Sequence, residues 1–274
     1  MQGFCEGAMS YETSGPRHIQ SPDGTSIAVW SSGEGPPLLL VHGSMSDHRR
    51  WRITDFFAPH RRVHAMDRRG RGGSGDGADW SLEREVEDVV AVVDTLADES
   101  SAPVDVLGHS FGGYLSLRAA ARTSRMRRLA VYEPAIVETA QPAELVARMQ
   151  DAVDAGRYEV VVELMVREVL HMPEEEIAAL KELPSWPSRV ATAPTLPREE
   201  STPLVIGDDE LAVVQIPTLI IQGDDSPKFL RDAVGTVADR VAGAQVVTLA
   251  GHQHVADQVD PGMFANVVLD FLLD

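Results

Sequence analysis

The chain of 274 residues holds a single cysteine, Cys5. An internal disulfide framework is therefore excluded. Cys5 lies in a Gly- and Ser-containing leader and reads as a bystander in a mobile tail. No apolar run reaches the roughly 20 residues that a membrane-spanning helix needs. The opening stretch MQGFCEGAMSYETSG lacks the basic and apolar regions of a secretion signal. These absences predict a cytoplasmic protein. Positive charge is also scarce: 24 Lys/Arg stand against 42 Asp/Glu, a net charge of −18. That balance argues against nucleic acid and anionic membranes as partners. The deficit is uneven, with a net of −3 over residues 1–133 and −15 over residues 134–274. The excess reads as solvated surface, and it disfavours a polyanionic substrate. The glycine-rich loop Asp67–Gly75 contains no G-x-G-x-x-G opening into a helix and no following Lys-Ser/Thr, so a nucleotide site is not expected. There are no internal repeats.

What the sequence does contain is centred on Val104–Gly113, VDVLGHSFGG. An apolar run, Val104–Leu107, leads into Gly108-His109-Ser110-Phe111-Gly112, and a helix-forming run, Tyr114–Arg122, follows. A G-x-S-x-G between a buried strand and a helix is the setting of a nucleophile elbow. Ser110 must then occupy a strained turn, and Gly108 and Gly112 let strand and helix approach closely. The helix would aim its free N–H groups at the reacting centre.

The remaining chain alternates strands with helices. His18–Gln20 and Thr25–Ser31 flank the turn Ser21-Pro22-Asp23-Gly24 and predict a hairpin. Leu38–Val41 and Val63–Met66 read as buried strands. Apolar residues from Leu82 to Leu96 have helical spacing, with Ser81 as N-cap. Arg128–Tyr132 predicts a strand ending at Glu133-Pro134. From Ala135 to about Glu210 no buried strand is evident, and amphipathic segments such as Glu144–Ala155 and Glu159–His171 alternate with prolines. Strand Pro217–Gln222, helix Phe229–Val241, strand Gln245–Leu249 and helix Pro261–Leu273 complete the pattern. Such alternation predicts a mostly parallel sheet covered on both faces, with ligand beyond the strands' carboxyl ends. Ser44, Ser110, Glu133, Asp225 and His254 all fall there.

Taken together, VHGSMSDHRRW, DRRGRGGSG, GHSFGG, IIQGDDSP and AGHQHVADQVDP resemble the α/β-hydrolase superfamily, in the family's order. The resemblance covers about residues 18–134 and 211–274. It implies an α/β fold with an eight-stranded sheet, the second strand antiparallel, helices on both faces and a helical cap after strand six. The domain expectation is a flexible leader over 1–15, a core over 16–134 and 211–274, and a cap over 135–210. The resemblance further implies a Ser–His–acid triad with neither metal nor organic cofactor.

Ser110 is the expected nucleophile and His254 its base. His254 stands at the family's spacing from Pro261, and His252 two residues short of it. His252-Gln253-His254 has no accompanying third metal ligand, so no metal is expected. The N–H groups of Ser44 and Phe111 would form the oxyanion hole. His42, Gly43, His109, Trp51, Tyr158 and Trp186 are candidates for the substrate pocket, with core packing an equal reading for the aromatics. The acid has two candidates. The family's usual G-x-x-D becomes Gly223-Asp224-Asp225-Ser226 here, which leaves Asp225 two positions from Gly223. The second location known in the superfamily, directly after strand six, holds Glu133, and this position is preferred over Asp225.

A serine nucleophile separates the chain from aspartate-dependent haloalkane dehalogenases and epoxide hydrolases. The expected activity is hydrolysis of a carboxylic ester or lactone of a neutral small molecule. The alternatives are a C–C bond hydrolase, thioesterase or perhydrolase with the same triad, or a non-catalytic ligand-binding homologue. The oligomeric state is left open.

Overall fold

The computed structural model describes Tyr11 and residues 15–273. Cys5 and the rest of the leader up to residue 14 lie outside the described residues. Tyr11 itself is placed: its hydroxyl donates to the His48 carbonyl at 3.1 Å and its ring meets Trp30 and His48.

Strands β1 (Arg17–Gln20) and β2 (Ser26–Ser32) form the expected hairpin, closed at Gln20↔Ser26. Then follow β3 (Pro37–Val41), the short helix α1 (Thr54–Phe57), β4 (Arg62–Met66), α2 (Leu82–Ser100), β5 (Val104–His109), α3 (Phe111–Ala120) and β6 (Met126–Tyr132). The Ser81 hydroxyl caps α2 by accepting from the Arg84 N–H. An inserted run of helices comes next: α4 (Ala143–Asp154), α5 (Tyr158–Leu164), α6 (Glu174–Lys181), α7 (Trp186–Ala191), α8 (Leu196–Glu200) and α9 (Asp208–Ala212). The chain ends with β7 (Thr218–Gly223), α10 (Lys228–Arg240), β8 (Gln245–Leu249), α11 (Ala256–Val259) and α12 (Pro261–Leu273).

The eight strands lie in the order β1-β2-β4-β3-β5-β6-β7-β8. Only β2 runs antiparallel to its neighbours β1 and β4; every other adjacent pair is parallel. Alternation along each strand sends side chains to two cores. Leu39, Val41, Val106, Leu129, Val131 and Ile220 face α2, α3 and α10. Leu38, Leu40, Leu107, Ala130, Leu219 and Ile221 face α1 and α12. Burial on both faces is why these strands are continuously apolar.

The helical insertion has its own apolar cluster, including Leu145, Met149, Val162, Trp186 and Leu196, joined by Met45 from the loop after β3. Its two ends are clasped by reciprocal backbone hydrogen bonds between Val137 and Leu204, at 3.0 and 2.8 Å. The run expected as one helix over Glu159–His171 divides: after α5 the backbone widens over Met165–Val169, and the Leu170 N–H reaches back five residues to Met165.

Candidate active site

The turn after β5 has the geometry that its chemistry requires. Ser110 sits at φ 54, ψ −121, outside the regions a side chain prefers. Neighbouring backbone over-determines this strained conformation. The Ser110 N–H donates to the Tyr132 carbonyl at 2.9 Å, and its own carbonyl accepts from Tyr114 and Ala135. Glycine is required beside it. A Cβ on Gly112 would stand 2.2 Å from the Val41 carbonyl oxygen, and one on Gly108 would meet Ser116 Oγ at 2.6 Å. The same hydrogen bonds tie the serine to the end of β6, where Glu133 also adopts positive φ, at 45°.

Glu133 is fully buried and its two oxygens are both used. Oε1 accepts from the Gly223 N–H at 2.8 Å, and Oε2 lies 2.6 Å from His254 Nδ1. This pairing puts the Nδ1 proton on His254 and leaves Nε2 as the free base, on a ring one quarter exposed. Asp225, the other candidate, is exposed, and its side chain bonds to no described residue. Its neighbour Asp224 accepts from the Gly251 N–H at 2.6 Å. Ser226, at the family's usual acid position, is buried with its hydroxyl unpartnered. His252 turns away, its Nδ1 on the Ala250 carbonyl. Ser110 Oγ has no hydrogen bond to a described residue. The Ser–His bond is therefore not made here, and such bonds commonly tighten only on substrate.

Two aromatic residues fix the His254 loop. The Tyr132 hydroxyl donates to the Gln253 carbonyl and accepts from the Ala256 N–H at 3.0 Å. His109 Nε2 donates to the His254 carbonyl at 3.0 Å, its ring 4.4 Å from that of His254. With Nε2 carrying the proton, Nδ1 of His109 is bare, and it is buried without a partner. Burial, reinforced by Arg50 and His254, holds His109 well below the usual histidine range, so it remains neutral.

The loop after β3 comes close to the elbow. A Cβ on Gly43 would stand 2.9 Å from Ser110 Cβ and 3.1 Å from His109 Nδ1. His42 is wholly buried, and its Nε2 accepts from the Arg68 N–H at 3.1 Å. Nδ1 must then carry the proton, and it donates to the Gly43 carbonyl at 2.8 Å. Burial, then Arg68 and Arg71, lower His42 to about 3, so this tautomer persists. Because a trans peptide is planar, anchoring the Gly43 carbonyl turns the Ser44 N–H the opposite way. Neither this N–H nor that of Phe111 is hydrogen-bonded among the described residues, as donors awaiting an oxyanion would be.

The other expected pocket residues are placed differently. Trp51 is fully buried in the core with Leu38, Leu40 and Phe57. Trp186 lies inside the helical insertion, and Tyr158 is exposed on it. A cavity of about 410 Å³ beside Pro142, Leu145, Arg148 and His171 touches none of the residues around Ser110. The glycines of Asp67–Gly75 serve packing: a Cβ on Gly72 would strike the Asp67 carboxylate at 2.2 Å. Asp67, Asp47 and His48 have metal-ligand spacing, but Asp67 already accepts from His48, Trp30 and Gly73.

Several groups near the site were not singled out from the sequence. Asp257 is buried, with Oδ1 2.6 Å from Arg50 Nη2 and Oδ2 unpartnered. Burial pushes its carboxyl up, against the charges of Arg50 and His254. Arg189 of α7 acts on the same group, and its own Nε is buried and unpartnered. Glu199 of α8 reaches Ser44, Arg68 and Arg71.

A model of the alpha/beta hydrolase family matches residues 38–267. Among curated proteins, the 2-hydroxymuconate semialdehyde hydrolase of Pseudomonas sp. (strain CF600) is 28% identical over 273 residues, covering 89% of each chain. Among solved structures, an alpha/beta hydrolase from Sphaerobacter thermophilus aligns at TM-score 0.81 and 34% identity, over 93% of this chain and all of that one. The enol-lactonase of Burkholderia xenovorans LB400 aligns at TM-score 0.71 and 22% identity, over 94% of this chain and all of that one. No helix among the described residues is long and apolar enough to cross a membrane.

Proposed function

The chain belongs to the alpha/beta hydrolase family, and from that premise we propose that it is a serine hydrolase cleaving a small carboxylic ester or lactone. The observation that carries this reading is the buried Glu133–His254 pair, tied through the backbone of β6 to a serine at positive φ. In the proposed cycle His254 Nε2 takes the Ser110 proton while Oγ attacks the carbonyl carbon. Glu133 keeps the Nδ1 proton in place and stabilises the imidazolium. The Ser44 and Phe111 N–H groups receive the oxyanion. His254 returns the proton to the departing alkoxide, leaving the acyl group on Ser110. Water then repeats the sequence and releases the acid. Residues 135–210 act as a cap whose inner face sets the substrate.

The enol-lactonase and the semialdehyde hydrolase mark two sides of this fold's chemistry, and the ester or lactone reading is the one to test first. Wild type and Ser110→Ala are compared on p-nitrophenyl acetate, a simple lactone and a β-diketone. Ester or lactone turnover that vanishes in the variant supports the proposal. Turnover confined to the diketone moves the chemistry to C–C cleavage. Saturable ligand binding with no turnover makes the chain a non-catalytic binder.

Substrate charge has a second reading. The acidity that suggests neutral substrates lies largely in exposed cap residues such as Glu159, Glu168 and Glu174, and salt screens them beyond about 10 Å. Closer to His254 the charges even out: Arg50 and Arg189 stand against Glu133 and Asp257, with Glu133 engaged by His254 and Asp257 by Arg50. Burial and Arg50 lower Arg189 to about 10, which leaves it charged at neutral pH. This free guanidinium favours a carboxylate-bearing substrate. Esters of equal acyl length, with and without a carboxylate, decide it. A preference for the anionic ester that Arg189→Gln abolishes supports the second reading, and a preference for the neutral ester in both proteins removes it.

A further inference from the structure

We propose that Glu199, carried by the cap helix α8, is a positioning residue for the oxyanion hole, so that seating the cap completes the catalytic centre. The inference rests on the hydrolase reading above and adds to it a link between cap and chemistry.

Glu199 is almost wholly buried and accepts three hydrogen bonds from two loops of the core. Oε2 accepts from Ser44 Oγ at 2.7 Å, and Oε1 accepts from Arg68 Nη2 at 2.6 Å and Arg71 Nη2 at 2.5 Å. Ser44 carries one oxyanion donor on its backbone. Phe111 carries the other, and the Arg68 guanidinium lies 4.0 Å from the centre of the Phe111 ring. Arg68 cannot drift, because Nε and Nη2 also grip Glu85 at 2.7 and 2.9 Å. One carboxylate on the cap therefore braces residues on both sides of the hole.

The brace adds a polar tether to a loop whose next residue, Met45, packs into the cap's apolar cluster. His42 anchors the Gly43 carbonyl from below. Among the described residues the Ser44 side chain has a single hydrogen-bond partner, Glu199. Without it, the peptide bearing the Ser44 N–H keeps the His42 anchor and the packing of Met45 but loses its hydrogen bond to the cap. Since transition-state donors work by being pre-aimed, even a small rotation there costs rate more than binding.

Charge supplies the force that seats the cap. The core alone presents Arg68 and Arg71 against one acid, Glu85. Arg71 is fully buried, and Glu199 is the acid it pairs with. Removing the Glu199 charge with the cap still seated would leave this buried guanidinium without its hydrogen-bonded acid, which is strongly unfavourable. Burial alone would raise the Glu199 carboxyl, but Arg68 and Arg71 outweigh it and hold the group at about 2. The brace is therefore ionised throughout the working range.

A clamp of purely structural role would also bury Glu199, so the test separates rate from stability. Ser44→Ala cuts only the link to the hole and leaves the ion pairs intact; Glu199→Gln weakens both; the double variant closes the cycle. Each full-length protein is assayed on p-nitrophenyl acetate, with melting temperature and the inhibition constant of a trifluoromethyl ketone, which forms an oxyanion on the serine. We expect Ser44→Ala to lose about tenfold in kcat with KM within about twofold, an unchanged melting temperature and a parallel loss of ketone affinity. The double variant should lose no more kcat than Glu199→Gln alone. Ser44→Ala with wild-type kcat and ketone affinity overturns the inference, as does a loss confined to KM or additive losses in the double variant. If the wild type itself turns over no ester and binds no ketone, the hydrolase reading falls and this inference falls with it.

Discussion

Replacing Glu133 by glutamine isolates the proposed acid of the triad. The carboxylate accepts one hydrogen bond at each oxygen, from the Gly223 N–H at 2.8 Å and opposite His254 Nδ1 at 2.6 Å. In Glu133→Gln the amide oxygen can still accept from Gly223, which leaves the NH₂ facing His254. Two donors cannot share that contact, so Nδ1 must become the acceptor and the proton moves to Nε2. An Nε2 that already carries its proton cannot take the one on Ser110. In a serine triad this tautomer error costs about 10⁴ in kcat, equivalent to about 5 kcal/mol of barrier. Shape is nearly unchanged, and glutamine meets the same backbone demand at φ 45 as glutamate. The melting temperature should shift by only a few degrees. Asp225→Asn is the control, and its exposed, unpartnered side chain predicts kcat within about twofold of wild type. Steady-state kinetics on p-nitrophenyl acetate, with thermal melts for both variants, reads the result. A folded Glu133→Gln enzyme at near-normal kcat, with Asp225→Asn crippled, would refute the reasoning.

His254→Ala should lose several orders of magnitude in kcat while His252→Ala loses far less, because among the described residues the His252 ring binds only the Ala250 carbonyl; the opposite ranking would move the base. Gly43→Ala would put a methyl group 2.9 Å from Ser110 Cβ and 3.1 Å from His109 Nδ1. The loop must then shift, and kcat should fall by at least about tenfold; unaltered kinetics would mean the loop is not held against the elbow. Glu200 is raised from 4.5 to about 8 by burial and by neighbouring Glu199. The folded state therefore holds a proton that the unfolded state has released, and stability declines as pH rises from about 4.5 through 8. Glu200→Gln should flatten that decline, with its largest gain in melting temperature at pH 9, and an identical pH trend in both proteins would count against it.

Local patterning made most of the frame legible. Apolar runs marked β3, β4, β5 and β7, and helical spacing marked α2, because burial on two faces or on one stripe leaves those signatures. The strand expected from Arg128 begins two residues earlier, at Met126, because charged Arg127 gave no apolar signal beside Arg128. In the structure they extend to the Asp105 carboxylate and the Leu272 carbonyl from within the strand. The candidate site was legible where its geometry depends on chain neighbours, as with Ser110 in its elbow and Glu133 at a strand end. It was not legible where function depends on long closure. Glu199 lies 155 residues from Ser44, within a segment whose acids resemble a solvated face. Only folding shows that this one is buried between two arginines. Asp257 was hidden in the same way, since its partner Arg50 lies 207 residues away. Trp51, for which pocket and core were equal readings from the sequence, packs in the core because the sheet lies beneath it.

The central claim, that Ser110 is a nucleophile activated by His254 and Glu133, is tested most directly by covalent labelling. The full-length protein is incubated with a p-nitrophenyl phosphonate, and intact mass and peptide mapping follow the adduct. The account predicts one phosphonyl group per chain, located on Ser110, absent from Ser110→Ala and slowed by orders of magnitude in His254→Ala and Glu133→Gln. A wild-type chain that remains unlabelled, or carries its adduct on another residue, would contradict it.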